Sequence, residues 1–540
     1  MNQLLYGDNL EILRKRIADE SIDLCYIDPP FNSKQNYNQI YNQLDKEDTA
    51  QAQAFIDTWT WDKLASEGLE EILKSHNPLY TNQLINLMSG LSKVIGKSSL
   101  LAYLVSMTLR IVEIHRALKP TGSFYLHCDP TASHYLKILA DSIFLPKGGE
   151  FRNEIIWKRT SAHSDTQGKF GKNNDIILFY TKSKKATWNK QYVSLSEDRL
   201  KNYNYQDEDG RKWASGDLSA KGLTGGGYEY EYRGIKSFWR CPLATMQKLD
   251  SENRLHFTQK GGIRVKRYLD ENKGQAIQQI FDDIPPISSQ AKERLGYPTQ
   301  KPEALLERII KASSKEGDTI LDCYCGCGTT IAVAEKLGRN WIGIDITYQS
   351  ISLILRRLKE SFGESIMKQV QLSGIPKDLE SARALALKQD DRLRKEFEKW
   401  AILTYANDNA IINDKKGADK GIDGIAYLLE GQDELRQIIF SVKSGKLSVA
   451  QIRDLRGVIE RENAAIGILL CLEEPTRAML QECKEAGIYK HPLVQQTFDR
   501  LQIITIEEVT RGARLSVPLA VDVLKNAERK KNNKNQGTIF

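Results

Sequence analysis

The chain has 540 residues, more than one ordinary core can hold, so about two to four domains are expected. It is 41% hydrophobic and 27% charged, a globular composition, and no apolar run is long enough to span a bilayer. Eight cysteines without a CxxC pair and seven scattered histidines argue against a disulfide scaffold and a zinc ribbon; charges in MNQLLYGDNLEILRKR, where a signal peptide needs apolar residues, make a cytoplasmic location the expectation.

In chain order, IDLCYI (22–27) reads as a buried parallel strand stopped at Asp28-Pro29-Pro30. Residues 45–118 are mostly helical in pattern, with LLAYLVSMTLRIVEIHRAL strongly periodic. Lys119-Pro120-Thr121-Gly122 predicts a turn, and SFYLHCD, NEIIWKR and DIILFYTKS predict three strands. The Gly-rich stretch 184–285 shows no clear period. Residues 302–314 form an amphipathic helix opened by Pro302, and TILDCYCGCGTTIAVAEKLGRNWIGIDI (319–346) reads as strand, Gly-rich turn, helix, strand. This alternation predicts an α/β fold with a doubly wound sheet over residues 1–375. A polar linker at 376–392, a second and smaller α/β domain at 393–520 and a basic, disordered tail at 521–540 complete the expected organisation.

The net charge of +7 is unevenly placed. Residues 181–280 hold 19 Lys and Arg against 12 Asp and Glu, the excess of the whole chain, together with 12 of its 45 aromatics. Basic groups among aromatics suit phosphate contacts and base stacking. A solvated surface with some buried aromatics would look the same.

Two segments carry chemistry. In the first, a strand ending at Asp322 feeds a turn with Gly326 and Gly328 and then a helix, and the next strand ends at Asp345. Such glycines let the backbone approach a ligand, helix-terminal N–H groups are free, and an acid about twenty residues on can accept ribose hydroxyls. Alone, the loop could bind a dinucleotide or be a structural turn. Cys323, Cys325 and Cys327 alternate too closely for a ferredoxin-type cluster. In the second segment, Asp28-Pro29-Pro30-Phe31 ends a strand. A carboxylate with a backbone carbonyl can accept both N–H groups of an amine and turn its lone pair out of conjugation with a ring. Two prolines stiffen that turn, and an aromatic can stack on a base that has left the duplex. A plain strand-ending turn is the competing reading.

DCYCGCGTT resembles the S-adenosylmethionine (SAM) loop of DNA methyltransferases, where Pro-Phe usually stands in place of Cys323-Tyr324. Tyr297-Pro298-Thr299-Gln300-Lys301-Pro302 resembles the family segment that closes over the cofactor. The order IDPPFNSKQNY, LKPTGSFYLHCD, NEIIWKR, ILFYTKS, basic segment, YPTQKP and Gly loop resembles the β group of amino-methyltransferases, over roughly residues 1–375. The resemblance implies that Asp28, Pro29, Pro30 and Phe31 are catalytic, with Asp28 accepting the amino N–H, Pro29 lending its carbonyl and Phe31 stacking. It implies that Asp322 faces the methionine amino group and Asp345 the ribose, with Thr299, Gln300, Lys301, Cys323, Tyr324, Gly326 and Gly328 around the cofactor. Residues 184–285 fall in the family's target-recognition slot. The implied activity is methylation of adenine N6 in double-stranded DNA, within a restriction-modification system. Cytosine N4, an inactive DNA-binding regulator and an RNA methyltransferase are the alternatives.

Beyond residue 393, Asp419-Lys420-Gly421-Ile422-Asp423-Gly424, followed by QIIFSVKSG, resembles the PD-(D/E)xK restriction-endonuclease fold of the Mrr type. There Asp423 would hold Mg²⁺, Lys443 would position water, and Glu396 or Glu398 could assist. Ser441 stands where Glu or Gln is expected, and a serine hydroxyl is a poor ligand for Mg²⁺. The terminal Gln536-Gly537-Thr538-Ile539-Phe540 resembles the short motif by which bacterial proteins dock on the replication sliding clamp.

Overall fold

Apolar runs punctuated by Gly, Pro and Asp assemble into one nine-stranded sheet. The computed structural model describes residues 2–30, 35–39, 52–57, 59–74, 77–160, 168, 170–222, 226–288, 290–295, 297, 299–387, 391–407, 409–413, 421–430, 435–492 and 496–517; Phe31, Pro298 and the terminal Gln536–Phe540 lie outside the described residues. The strands are Asn2–Tyr6 (β1), Ile22–Ile27 (β2), Leu118–Cys128 (β3), Glu150–Lys158 (β4), Asn174–Thr181 (β5), Ile280–Phe281 (β6), Thr319–Asp322 (β7), Asn340–Asp345 (β8) and Val370–Ser373 (β9). Their order is β6-β4-β5-β3-β2-β7-β8-β1-β9. β5 runs antiparallel to β4 and β3, and every other neighbouring pair is parallel.

Strand β2 is buried at all six positions, which is why IDLCYI is continuously apolar apart from Asp23. The sheet is covered by helices Asn9–Arg16 (α1), Ser99–Ala117 (α2), Glu303–Ser313 (α3), Thr329–Lys336 (α4) and Tyr348–Phe362 (α5). Helix α2 starts at Ser98, whose side chain accepts from Leu101 N–H, and buries residues around most of its circumference. Its core partners include Leu13, Ile27, Leu126 and Leu321. Upstream of α2, residues expected as helix contain the strand Ala52–Asp57, paired with Gln35–Gln39. Parallel β2, β7 and β8 deliver their carboxyl ends to one rim of the sheet, the usual ligand crevice of such folds.

Residues 189–278 form a separate compact unit. A four-stranded antiparallel sheet runs Leu255–Phe257, Ile263–Tyr268, Lys212–Asp217, Tyr205–Gln206. Beside it Tyr228–Tyr232 and Ile235–Trp239 make a hairpin, turned by Arg233 and Gly234, both at positive φ. Leu218, Trp239, Met246, Leu255 and Ile263 form its small core. These strands are too short for a period to show in sequence.

The expected polar linker instead carries helix Leu379–Ala386 (α6), started by a capping box between Asp378 and Ser381. It packs on Asp391–Tyr405 (α7). Then follows a five-stranded sheet ordered Ile411–Ile412 (β10), Gly424–Leu429 (β11), Leu435–Lys443 (β12), Ile466–Cys471 (β13) and Leu501–Thr505 (β14), the last three parallel. Ile439, Ile452, Leu455, Ile459 and Leu469 are in its core. Among the described residues no helix is long and apolar enough to cross a membrane.

Candidate active site

The Gly-rich loop between β7 and α4 is held from three directions. Asn9 Nδ2 donates to Cys323 O at 2.8 Å, and Arg110 Nε holds Asn9 Oδ1 at 2.5 Å. Arg357 Nη1 donates to Cys327 O at 3.2 Å while its Nη2 pairs with Glu303 at 2.8 Å. Gly326 N–H donates to Asp345 Oδ2 at 2.9 Å. Gly328 has φ +73°, and a Cβ there would stand 2.6 Å from Ile354 Cγ1, so only glycine fits. Tyr297 lies over Gly326, its ring 3.4 Å from where a Cβ would be. The three cysteine thiols of the loop are buried, which pushes Cys325 well above its usual range and Cys323 and Cys327 upward. They pack the loop.

Three carboxylates converge on this rim. Register pairs Leu321 with Cys25 and Asp322 with Gly343, which sets Asp28, Asp322 and Asp345 at the ends of adjacent strands. Asp322 accepts from Tyr324 N–H at 3.0 Å. Burial, reinforced by the charges of Asp28 and Asp345, pushes its carboxyl up to about 7 against bonds from Thr330 and Tyr324. Burial also raises Asp345, opposed by bonds from Thr347 and Gly326. Thr347 donates to Asp345 Oδ1 from both its backbone and its hydroxyl at 2.9 Å. This acidic cluster, Asp322 buried and Asp28 and Asp345 half-buried, on an open-backboned loop fits a ligand carrying ammonium and sulfonium cations and ribose hydroxyls.

Lys301, expected beside the cofactor, pairs its Nζ with Asp28 Oδ2. Gln300 is spent on its own loop, accepting from Leu295 N–H at 2.8 Å and donating to Glu293 O at 2.5 Å. Thr299 is half-buried nearby, and Thr299 O lies 3.4 Å from Lys301 Nζ. Tyr324 turns its hydroxyl to Met107 Sδ at 3.8 Å, toward the core face of the loop. Pro29 is buried and Pro30 half-buried after Asp28.

Behind Asp28 lies a polar network that sequence reasoning missed. Tyr26 hydroxyl and His127 Nδ1 are 2.8 Å apart, His127 Nε2 and Asp175 Oδ2 3.1 Å, and Arg159 Nε and Asp175 Oδ1 3.1 Å. Burial pushes Asp175 up, but the bond from His127 and the charges of His127, Lys301 and Arg159 hold it below the ordinary carboxylate range. The available signal was a histidine and an aspartate inside otherwise apolar strands, since buried polar groups need partners.

Residues 22–356 match the family model described as DNA methylase. The chain belongs to this family. The type II methyltransferase M.EcaI of Enterobacter cloacae is 30% identical over 262 residues, 47% of this chain and 57% of that protein. The StyLTI Mod subunit, a type III restriction-modification enzyme of Salmonella typhimurium strain LT2, is 29% identical over 351 residues, 61% of this chain and 49% of that protein. The chain thus spans about half the length of these curated relatives. The solved PvuII DNA methyltransferase, described as cytosine-N4-specific, is 14% identical and covers 68% of this chain and 91% of its own, at a TM-score of 0.35.

In this methylase-family chain the C-terminal residues 393–511 match the model of the NACHT-associated inactive restriction endonuclease 1. The geometry agrees with that description. Asp423 Oδ2 accepts from Val442 N–H at 2.7 Å and from the Ser441 hydroxyl at 3.3 Å. Oδ2 of Asp423 is engaged by both, and Ser441 supplies only a hydroxyl where a carboxylate or amide ligand is expected. Glu398 is pushed up by burial and by Asp423, against Lys395 and Lys443. The residues present do not fit the Mg²⁺ that the resemblance implied at Asp423 and Lys443.

One basic group of the unit at 189–278 is engaged inside it. Lys266 is buried and pairs with Asp207 at 2.9 Å, an aspartate that also accepts from Trp213 Nε1 at 2.8 Å and Tyr268 hydroxyl at 2.5 Å. Lys266 therefore holds this unit together instead of facing phosphate.

Proposed function

We propose that the chain transfers a methyl group from SAM to adenine N6 of a base flipped out of double-stranded DNA, as the modification activity of a restriction-modification system. The observation that carries this is the convergence of Asp28, Asp322 and Asp345 on one rim around the clamped Gly326–Gly328 loop. When bound, SAM supplies an electrophilic methyl on a sulfonium. Asp322 would take the ammonium of its methionine part and Asp345 the ribose hydroxyls. Asp28, its Oδ2 held by Lys301, accepts the amino N–H at Oδ1. The Pro29 carbonyl would take the second N–H and free the nitrogen lone pair to accept the methyl, with S-adenosylhomocysteine leaving and the surplus amino proton passing to solvent, and Phe31 would stack on the base. Lys301 fixes this carboxylate before the base arrives, the preorganisation such a step requires. Adenine N6 and cytosine N4 both present the NH₂ group that Asp28 and the Pro29 carbonyl would accept from, and adenine is the base we propose.

The test incubates the full chain with methyl-labelled SAM and genomic DNA, then identifies the modified nucleoside. N6-methyladenine is expected. N4-methylcytosine alone would overturn the choice of base, and no transfer to any DNA would overturn the enzyme reading. Docking of Gln536–Phe540 on the sliding clamp is proposed from its motif. Titration of a peptide of these residues against the clamp tests it, and binding unchanged by Phe540→Ala would refute it.

A further inference from the structure

Helix α7 opens the endonuclease-like domain, yet its side chains reach the methyltransferase rim. Glu396 is 8% exposed, and its Oε2 accepts the backbone N–H of Tyr348 at 3.0 Å. Tyr348 is the first residue of α5, one position after Thr347, which caps that helix and also holds Asp345 Oδ1. One turn, Asp345–Tyr348, thus carries the proposed ribose carboxylate on one side and the Glu396 bond on the other.

The contact is built at more than one point. Thr404, two turns further along α7, donates to Tyr348 hydroxyl at 3.1 Å. The Tyr348 ring meets Tyr6 edge-on at 6.4 Å, and Tyr6 ends β1 opposite Asp345. Glu396 is itself compensated by Lys399 Nζ at 3.0 Å. A buried carboxylate at a helix N-terminus is stabilised by the helix dipole and makes a charge-assisted bond, stronger than a neutral one. Keeping such a charge buried beside Asp345, a like charge, is costly unless that bond is made. In a domain with Ser441 where a carboxylate or amide is expected, this carboxylate makes its bond outside the domain.

We propose that Glu396 is a positioning residue of the cofactor site: the opening helix of the endonuclease-like domain fixes the Asp345–Tyr348 turn, so that a nuclease relic completes the methyltransferase pocket. The inference rests on the cofactor reading above and extends it to a domain outside the methylase match at 22–356. Coupling of this kind is reciprocal, so SAM must also steady α7.

The experiment measures SAM affinity by calorimetry and backbone hydrogen exchange over residues 394–405 in the full chain, with and without SAM. In the wild type, SAM should slow exchange in this helix. Glu396→Ala should weaken SAM binding about tenfold, the equivalent of about 1.4 kcal/mol. It should remove the SAM-induced protection while leaving turnover at saturating SAM close to normal. Glu396→Gln keeps an acceptor for Tyr348 N–H and should restore most of the affinity. If Glu396→Ala binds SAM as the wild type does, or if Glu396→Gln is as defective as Ala, the positioning role is overturned. A wild type that binds no SAM would instead overturn the cofactor reading together with this one.

Discussion

Replacing Asp322 with Asn removes one charge from the three that crowd the rim, and its effect reverses between the free and the bound protein. In the free chain Asp322 is 3% exposed, and burial with its two acidic neighbours lifts its carboxyl to about 7. Because the folded value lies above the unfolded one of about 3.9, ionisation opposes folding. The penalty is absent below about pH 4, grows as pH rises toward 7, and is complete above it, at about 4 kcal/mol. Asn keeps an acceptor for Tyr324 N–H and carries no charge. The variant should therefore melt higher than the wild type at pH 8, with the difference shrinking toward pH 5. With SAM the sign changes, because the charge that strains the free protein attracts the ligand's cations. Wild-type affinity should rise between pH 6 and 8 with release of a proton, visible in calorimetry across buffers of different ionisation enthalpy, and the Asn variant should lose both the affinity and the proton. Parallel stability curves for the two proteins from pH 5 to 8 would refute the raised carboxyl. An Asn variant with wild-type affinity would remove Asp322 from the cofactor site.

Asp28→Ala should abolish methyl transfer and leave SAM affinity intact, since this carboxylate pairs with Lys301 and sits outside the loop; retained turnover would sink its catalytic role. Asp345→Ala should act the other way and weaken SAM binding by about tenfold or more through loss of the Gly326 and Thr347 bonds, read by calorimetry. Plasmid nicking in Mg²⁺ should be absent in the wild type, and Ser441→Glu, which restores a carboxylate beside Asp423, is the change that can create it; nicking by the wild type would show that the C-terminal donors do fit a metal. Arg267→Glu, at an exposed position, should lower DNA affinity and reduce the salt slope by about one. Lys266→Glu, buried on Asp207, should instead destabilise the 189–278 unit, seen as early loss of Trp213 fluorescence on heating.

Strand β2, the Gly-rich loop and β8 were legible because their signals are local: an apolar run, obligatory glycines, and acids at strand ends. The strands of 189–278 were not, since none exceeds six residues and two residues of alternation do not make a period. Helix α6 was read as linker because its only strong signal is the cap of Asp378 on Ser381, with short apolar side chains behind it. Ser441 was legible as a departure, and its consequence, donors facing Asp423, follows from the register of β12 beside β11.

The site residues differ in the same way. Asp28 is marked by the prolines that follow it, but its partner Lys301 is 273 residues away, and only the order β2-β7 in the sheet, with α3 following Pro302, brings the two together. The same topology explains Asn9 and Arg357, which clamp the two ends of one loop from opposite ends of the domain. In a doubly wound sheet the reacting groups sit at strand ends where short motifs can mark them, while the groups that orient them come from whichever elements the winding places next door. Glu396 is the extreme case: the nuclease-fold resemblance offers Glu396 or Glu398 as an assisting acid, and the packing gives the Glu396 carboxylate to a backbone N–H beside Asp345. A motif names what a side chain can do, and the packing decides which of its capacities is used.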